Sequence, residues 1–460
     1  MLFPTLEFAL FFFLLFPLYW LVKDKSVLRK GLLIVASYFF YGYWDVRFIF
    51  LLFLSSLINW LVGLKAEKRL ILALGVGLNL SILFFFKYAD FLIRSLNNLL
   101  LQQGREILLK PMGLILPVGI SFFTFQGISY IVDVHRGDTE KRSRFSDILL
   151  YISFFPQLVA GPILRSDVFL PQIDRTPDPS SLNIGFALRK IFSGLFKKIV
   201  IANYLASLAA DPAFLNPGDY GSWELLFAAY AYGVQIFCDF SAYSDIAIGV
   251  ANLLGFHFPE NFDKPYRSSS LKEFWRRWHI SLSSWLRDYL YIPLGGSRKG
   301  KGRTYLNLFL TMLLGGIWHG AGWNFVLWGC IHGFWLIGER LIIKKSASTM
   351  TGRLVGRIIT FHVVTAAWIF FRAPDFPLAL NYFQGLFAFR PGWTMITPFT
   401  GLLLFIGIAL HFIPPQWEKG LENGINRLSA FFTALFSGLY FILLQILAPE
   451  GMAPFIYFQF

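Results

Sequence analysis

The sequence predicts an all-α polytopic membrane protein, and three observations carry that prediction. Of its 460 residues, 56% are hydrophobic and only 15% are charged, whereas about 25% of the residues of a soluble domain are charged. Aromatic residues make up 19% of the chain, with 53 Phe. Long apolar runs alternate with short polar stretches from one end to the other. A single soluble core could not bury so much apolar surface, because such cores stop growing near about 250–300 residues.

Ten apolar runs are predicted to be membrane spans, since a helix needs about 20 residues to cross the hydrocarbon of a bilayer. They lie near residues 2–22, 46–64, 70–86, 112–132, 184–210, 223–254, 321–341, 354–371, 398–413 and 430–448. Three shorter runs, at 31–43, 147–164 and 305–318, are candidates for tilted, joined or re-entrant helices. The chain has no internal repeat and no linker of domain-separating length, so we predict one integral-membrane domain over 1–460.

The most clearly broken apolar run is the segment 151–165. Pro156 and Pro162 remove backbone donors, and Gly161 loosens the turn between them. Backbone that lacks internal hydrogen bonds is tolerated at membrane depth only inside protein or beside a water-filled cavity. We therefore expect this segment to be packed within the helix bundle. The alternative is an ordinary proline kink in a spanning helix.

The basic residues predict which loops face the cytoplasm. The net charge is +14, and ten Lys or Arg lie in the stretch 264–303. In a soluble protein such an excess would suggest nucleic acid, but in a membrane protein it is typical of cytoplasmic loops beside anionic lipid. Lys23, Lys25, Arg29 and Lys30 follow the first span and place the N-terminus outside. We expect the lipid bilayer as a partner and no nucleic acid.

His319 is the first candidate for chemistry, because an ionisable side chain within a span is a functional hypothesis by default. It lies in the segment LLGGIWHGAGWNFVLWGCIHG, between pairs of glycines and beside Trp318. A histidine in this setting suits a general base in a narrow channel. Helix packing through glycines would produce the same pattern without chemistry.

His332 lies 13 residues beyond His319. On one continuous helix this spacing corresponds to about 20 Å of rise and about 220° of rotation. The two histidines therefore cannot share a site unless the helix breaks near Gly320–Gly322. We predict a packing or supporting role for His332.

His279 lies in the segment SSSLKEFWRRWHISLSSWLRDYLYIPLGG. Ser270 is a predicted N-cap, and Glu273 would complete a capping box. One amphipathic helix would then carry His279 past Trp275, and it would lie in the interface or dip inward. A lipid-facing surface helix without chemistry is the alternative.

Two further motifs carry charge. The segment 295–303 approaches a phosphate-binding loop, but Gly302 stands where the Mg²⁺-binding hydroxyl is needed. We expect a basic loop that attracts the phosphates of an acyl-carrying cofactor or of lipid, and no nucleotide hydrolysis.

Asp239 and Asp245 are intramembrane carboxylates, for which we predict hydrogen bonds from Ser, Tyr or backbone. No H-E-x-x-H or C-x-x-C motif occurs, so we predict no metal site.

Four segments resemble the bacterial branch of the membrane-bound O-acyltransferase family. They are FFPQLVAGPILR (154–165), FCDFSAYSDIAIG (237–249), FWRRWHISLSSWLRDYLYIPLGG (274–296) and GIWHGAGWNFVLWGCIHG (316–333). The similarity is closest to the membrane subunits that O-acetylate alginate, and the ending PFIYFQF is similar to that branch too. It extends to peptidoglycan O-acetyltransferases and to the D-alanyl transfer protein of teichoic acid.

The resemblance implies a ring of about eleven spanning helices, with re-entrant and interfacial helices around a central funnel. It implies that His319, in the W-H-G motif, is catalytic. His279, in the R-x-W-H-x-S-L-S motif, would lie on the cytoplasmic side of the same passage. It also implies a multi-pass protein of the cell inner membrane that works with a periplasmic acetyltransferase partner and a polysaccharide acceptor.

The predicted activity is therefore acyl transfer, with acetyl-CoA as the donor substrate and no bound cofactor. His319 would act as general base, because the imidazole pKa near about 6.5 suits proton uptake at physiological pH. Peptidoglycan O-acetylation and teichoic-acid D-alanyl transfer remain alternatives for the acceptor. From other classes, a transporter or flippase for a lipid-linked sugar, or a scaffold that only holds partner enzymes, would share the polytopic architecture.

Overall fold

The structure is a computed structural model that describes residues 1–105, 109–159, 161–342, 349–449 and 455. Its described residues form helices and connecting loops, and no strand occurs among them. The predicted all-α class is therefore confirmed. The chain ending PFIYFQF lies outside the described residues apart from Phe455. The chain divides into two compact units, one of residues 1–182 and 254–258, the other of residues 183–253 and 259–460.

The described residues of the first unit form eight α-helices. They are α1 (Leu6–Leu21), α2 (Ser26–Gly42), α3 (Ile49–Gly63), α4 (Arg69–Gln102), α5 (Ile120–Arg136), α6 (Phe145–Ser153), the single turn α7 (Phe155–Leu158) and α8 (Ser166–Asp174). The predicted span at 112–132 is wrong in its first part, because helix α5 begins only at Ile120. Pro111 and Pro117 precede it, and the Asp90 carboxylate accepts hydrogen bonds from three successive backbone N–H groups, those of residues 112–114. This pairing holds the preceding segment in a non-helical conformation.

The break predicted in the segment 151–165 is confirmed. Helix α6 ends at Ser153, and beyond α7 the described residues are non-helical until Ser166. The described side chains from Tyr151 to Leu164 are buried. Side chains supply what the helix lacks, since Gln157 donates to the carbonyl of Tyr151 and the Tyr151 hydroxyl donates to that of Leu164. The segment is therefore packed inside protein, as the missing backbone hydrogen bonds require.

The second unit contains the remaining helices. They are α9 (Ile184–Leu215), α10 (Ser222–Leu253), α11 (Leu271–Arg277), α12 (Ile280–Leu286), α13 (Gly300–His319), α14 (Trp323–Ile342), α15 (Met350–Arg372), α16 (Phe376–Phe387), α17 (Pro398–Ala409), α18 (Pro415–Arg427) and α19 (Ala430–Ile446). Helix α10 is buried along most of its length. It packs against α9, α15, α16 and α17 and forms the core of this unit.

Six described helices are long and apolar enough to span a membrane. They are Val46–Gly63, α4, α9, α10, α14 and α15, and a seventh span is added if α17 and α18, bent by 92°, count as one. Helices α1 and α19 are apolar but shorter. The protein is therefore a multi-pass membrane protein, and the implied count of about eleven spans is not confirmed.

Candidate active site

His319 is the last residue of helix α13, at the point where the helical run breaks. Gly320 is extended, with φ −161° and ψ 154°, and α14 begins at Trp323. A Cβ atom at Gly320 would collide with the ring of Phe325, and one at Gly316 would lie 2.5 Å from the Phe325 carbonyl oxygen. Glycine is therefore required for α13 and α14 to fold back on each other as a hairpin. Its tip holds His319.

Aromatic rings enclose the imidazole of His319, which is 4% exposed. Its ring centroid lies 5.0 Å from that of Trp318, 5.1 Å from Trp328 and 5.3 Å from Phe371. All three rings meet the imidazole at steep angles, between 72° and 83°. These surroundings keep bulk water away from the imidazole ring.

His279 lies in a break between helices α11 and α12, so the single helix predicted through it is wrong. Ser270 caps α11 as predicted, but the Glu273 carboxylate reaches the backbone N–H of Ser269 rather than that of Ser270. The helix ends at Arg277, and His279 adopts left-handed backbone angles of φ 42° and ψ 58°. This conformation costs a non-glycine residue about 1–2 kcal/mol. Strain of this kind is often found at functional sites.

Asn261 holds the imidazole of His279 in one orientation. The Asn261 Oδ1 atom lies 3.2 Å from Nδ1 of His279 and also accepts hydrogen bonds from the backbone and hydroxyl of Ser281. Its amide nitrogen donates to the hydroxyl of Ser244. Since Oδ1 is the acceptor, Nδ1 of His279 carries the proton and Nε2 keeps its lone pair. Burial lowers the pKa of His279 to about 3, so the ring is neutral at physiological pH.

The structure brings the two predicted histidines to one indole ring. The centroid of Trp318 lies 5.0 Å from that of His319 and 6.5 Å from that of His279. The two histidines are 40 positions apart in the chain and belong to different helical elements. The two sequence motifs that contain these histidines therefore meet at Trp318.

His332 is close to this site, so its predicted separation from His319 is wrong. The helix breaks at Gly320–Gly322, which removes the 20 Å of rise that a continuous helix would impose. Trp328 now contacts both histidines, at 5.1 Å from His319 and 4.6 Å from His332 between ring centroids. His332 is completely buried.

Three lysines of helix α9 form ion pairs with Asp239 and Asp245, and these pairs were not predicted from the sequence. Lys198 pairs with Asp239 at 2.7 Å, and Asp245 pairs with both Lys190 and Lys197. The prediction named Ser, Tyr or backbone groups as hydrogen-bond donors to these carboxylates and missed the lysine partners. The signal was present in the run RKIFSGLFKK, where lysines interrupt an otherwise apolar span.

A cavity of about 500 Å³ lies in the second unit, on the far side of Phe262 from His279. Phe262 forms part of its wall and stacks on His279, with centroids 6.2 Å apart. Basic and acidic side chains line it in equal number: Arg189, Lys190, Lys197 and Lys264 with Asp245, Glu260, Asp263 and Glu418. Apolar side chains, including that of Trp417 of helix α18, are also part of the lining. The cavity is separated from His279 by the ring of Phe262.

Comparisons with known proteins agree with the motifs. The family model described as "MBOAT, membrane-bound O-acyltransferase family" matches residues 140–373. The "Probable alginate O-acetylase AlgI" of Pseudomonas putida is 39% identical, over 98% of this chain and 99% of that protein. The peptidoglycan O-acetyltransferase of Helicobacter pylori is 38% identical over 81% of this chain and 74% of its own length. The teichoic acid D-alanyltransferase of Bacillus subtilis is 29% identical over 58% and 71%.

Proposed function

This chain belongs to the membrane-bound O-acyltransferase family and is a multi-pass membrane O-acyltransferase, and from that premise we propose its substrates and its catalytic residues. The donor is cytoplasmic acetyl-CoA, and the product is an O-acetyl group on an extracytoplasmic polysaccharide. The chain lies in the cell inner membrane. The observation that carries the proposal is the convergence of His279 and His319 on Trp318.

His319 is the general base of the proposed reaction. The acceptor hydroxyl oxygen attacks the thioester carbonyl carbon while the imidazole of His319 takes the hydroxyl proton. A C–O bond forms, the C–S bond breaks, and coenzyme A leaves as a thiolate that recovers the proton from the imidazolium. His279 is neutral and oriented by Asn261, so its Nε2 lone pair accepts a hydrogen bond from a thiol or hydroxyl in the passage.

The cavity beside Phe262 is the proposed donor side. Lys264 and Arg189, which form ion pairs with Glu418, are placed to exchange that carboxylate for phosphate oxygens. An acyl-carrying arm would then pass Phe262 to reach His279. The ten basic residues of 264–303 support a cytoplasmic position for this side by the positive-inside rule.

Alginate is the proposed final acceptor, and the acetyl group reaches it through a periplasmic partner, whose hydroxyl is the acceptor in the step at His319. The similarity to the alginate O-acetylase of Pseudomonas putida extends over nearly the whole of both chains, which favours alginate over peptidoglycan. In the described parts of the chain, the stretches between helices are tens of residues at most, which is too short for a lobe that grips a polymer. A separate protein is therefore needed to hand on the acetyl group.

The proposal is tested by His319→Ala in cells, with polymer acetylation normalised to protein level by immunoblot. General base catalysis contributes about 10²–10⁴-fold to a rate, so we expect the rate of acetylation to fall by a factor within or above this range. His362→Ala is the matched control, because His362 lies on the partly exposed face of α15 and bonds to Tyr230. Near-normal acetylation with His319→Ala would remove His319 from the mechanism.

The acceptor is tested separately, by measuring ester-linked acetyl groups on alginate and on peptidoglycan from a strain that lacks the gene. Loss from alginate alone supports the proposal, and loss from peptidoglycan alone contradicts it. The detergent-purified chain should hydrolyse acetyl-CoA slowly, with water in place of the acceptor. Rapid acetylation of free alginate by the purified chain would rule out the partner.

A further inference from the structure

The rings of Trp275, Trp328 and His332 form a compact group that the mechanism above does not use; Trp328 and His332 are buried, and Trp275 is half-buried. The ring centroids of Trp275 and His332 are 5.1 Å apart, those of Trp328 and His332 are 4.6 Å apart, and those of Trp275 and Trp328 are 5.7 Å apart. We call these three residues the indole–imidazole cluster. Trp275 comes from helix α11, and the other two residues come from α14.

The cluster contains four buried nitrogen atoms that lack a hydrogen-bond partner among the described residues. They are both ring nitrogens of His332 and the Nε1 atoms of Trp275 and Trp328. A buried polar group without a partner costs about 1–3 kcal/mol. Phenylalanine would fill the same positions without that cost. Other buried atoms, such as Nε1 of Trp368 and Nε2 of His411, also lack a partner among the described residues, but here four of them lie on three touching rings, an arrangement that suits a hydrogen-bonding ligand.

The position of the cluster connects it to the reacting groups. Trp328 is shared, because its ring contacts His332 on one hand and the proposed base His319 on the other. The hairpin of α13 and α14 produces this arrangement, since the break after His319 folds α14 back beside it. His332 therefore lies about one indole ring away from the base.

The donor and acceptor count indicates the chemistry of the ligand. Each indole N–H is a donor only, and a neutral imidazole offers one donor and one acceptor. The cluster therefore presents three donors and one acceptor. A group that mainly accepts hydrogen bonds, such as a carbonyl oxygen, satisfies this set better than a hydroxyl or an ammonium does.

We propose that the indole–imidazole cluster binds the carbonyl oxygen of the acyl group during transfer, with His332 as the residue that positions it. The inference rests on the proposed function. When the acceptor oxygen attacks, the electron pair of the C=O π bond moves onto the carbonyl oxygen. Hydrogen bonds from preorganised donors stabilise that oxyanion until the C–S bond breaks and the carbonyl re-forms. Donors of this kind contribute more to the transition state than to the bound substrate.

The test compares His332→Phe with His332→Gln and with the control His362→Phe. Phenylalanine keeps a ring and removes both nitrogens, whereas glutamine keeps a donor and an acceptor. Removing one oxyanion donor typically lowers kcat about 10²–10³-fold, and we expect a loss in this range for His332→Phe. The KM for acetyl-CoA should stay within about twofold, glutamine should restore part of kcat, and His362→Phe should match the wild type.

Thermal stability in detergent separates a functional role from a structural one. Because His332→Phe removes two buried atoms without partners, its melting temperature should equal or exceed that of the wild type. Loss of activity together with a large fall in melting temperature would overturn the proposal in favour of a structural role. Trp275→Phe keeps an aromatic ring and removes the N–H together with the five-membered ring of the indole; it gives a second measurement and should lower kcat.

The outcome for the wild type distinguishes this inference from the proposed function. If membranes with the wild-type chain neither hydrolyse acetyl-CoA nor support polymer acetylation, the proposed function is wrong and the inference is overturned with it. If the wild type is active, His319→Ala is inactive and His332→Phe retains near-normal kcat, then only the inference is wrong.

Discussion

The buried ion pair between helices α9 and α10 allows a stability prediction with a matched control. Lys198 and Asp239 are 2.7 Å apart, and their side chains are only 3% and 4% exposed. Lys198→Met removes the cation and leaves its carboxylate in a region that water does not reach. We expect this single substitution to destabilise the protein strongly, although Met fills a similar volume.

The expected magnitude follows from the difference in burial. Breaking a buried pair by removing one partner costs about 3–5 kcal/mol, because the remaining charge loses its nearest counter-charge. Lys141 and Glu67 form a pair of similar length, 2.8 Å, but their side chains are 54% and 63% exposed. An exposed pair contributes about 0–1 kcal/mol. Lys198→Met should therefore cost at least about 2 kcal/mol more than Lys141→Met.

The assay is unfolding by SDS in mixed micelles, followed by tryptophan fluorescence. The double variant Lys198→Met/Asp239→Leu should recover most of the loss, since a well-packed apolar pair often replaces a buried ion pair without a net cost. The reasoning is refuted if Lys198→Met costs no more than Lys141→Met. It is refuted equally if the double variant is as unstable as the sum of the two single variants.

Three further predictions concern topology, pH and the hairpin. In a chain without its native cysteines, single cysteines at the exposed positions Ser297 and Arg276 should react with a membrane-impermeant thiol reagent in inverted vesicles and not in intact cells. The reverse labelling pattern would overturn the proposed cytoplasmic position of the donor side. Burial lowers the pKa of His279 from 6.5 to about 3, so between pH 6.5 and pH 3 this side chain takes up a proton only in the unfolded chain. The free energy of unfolding should therefore decrease as the pH falls, by up to about 1.4 kcal/mol per pH unit, and His279→Gln should reduce that slope in detergent melts. Gly316→Ala should lower both the melting temperature and the activity, because the new Cβ atom would lie 2.5 Å from the Phe325 carbonyl oxygen. Gly302→Ala in the same helix is the control and should be neutral or slightly stabilising, because no atom lies within 4 Å of the position of its Cβ.

The elements that sequence predicted correctly depend on local signals. Proline and glycine broke the run 151–165, and Ser270 capped α11, because turn and cap chemistry acts within a few residues. The family and the enzyme class followed from motifs around His279 and His319, and the comparisons confirm both. The catalytic roles of these two residues remain predictions.

The errors have a common physical origin, which is that periodicity assumes a continuous helix. His332 was placed about 20 Å from His319, although glycines at 320 and 322 end the helix between them. The same assumption put His279 in the middle of a helix rather than at a left-handed junction. The lysine partners of Asp239 and Asp245 depend on how α9 packs against α10, and no spacing within one helix contains that information.

The described part of the second unit surrounds its carboxylates and the proposed base in different ways. The carboxylates of Asp239 and Asp245 are paired with lysines of α9, whereas the rings of Trp318, Trp328 and Phe371 surround His319. In the proposed mechanism a general base takes up a proton and gives it back within one transfer, and a carboxylate next to a base favours its protonated form and slows that return. The aromatic rings around His319 carry no formal charge, so they do not hold a proton on the base in this way. The paired charges join α9 to α10, and uncharged rings enclose the proposed base.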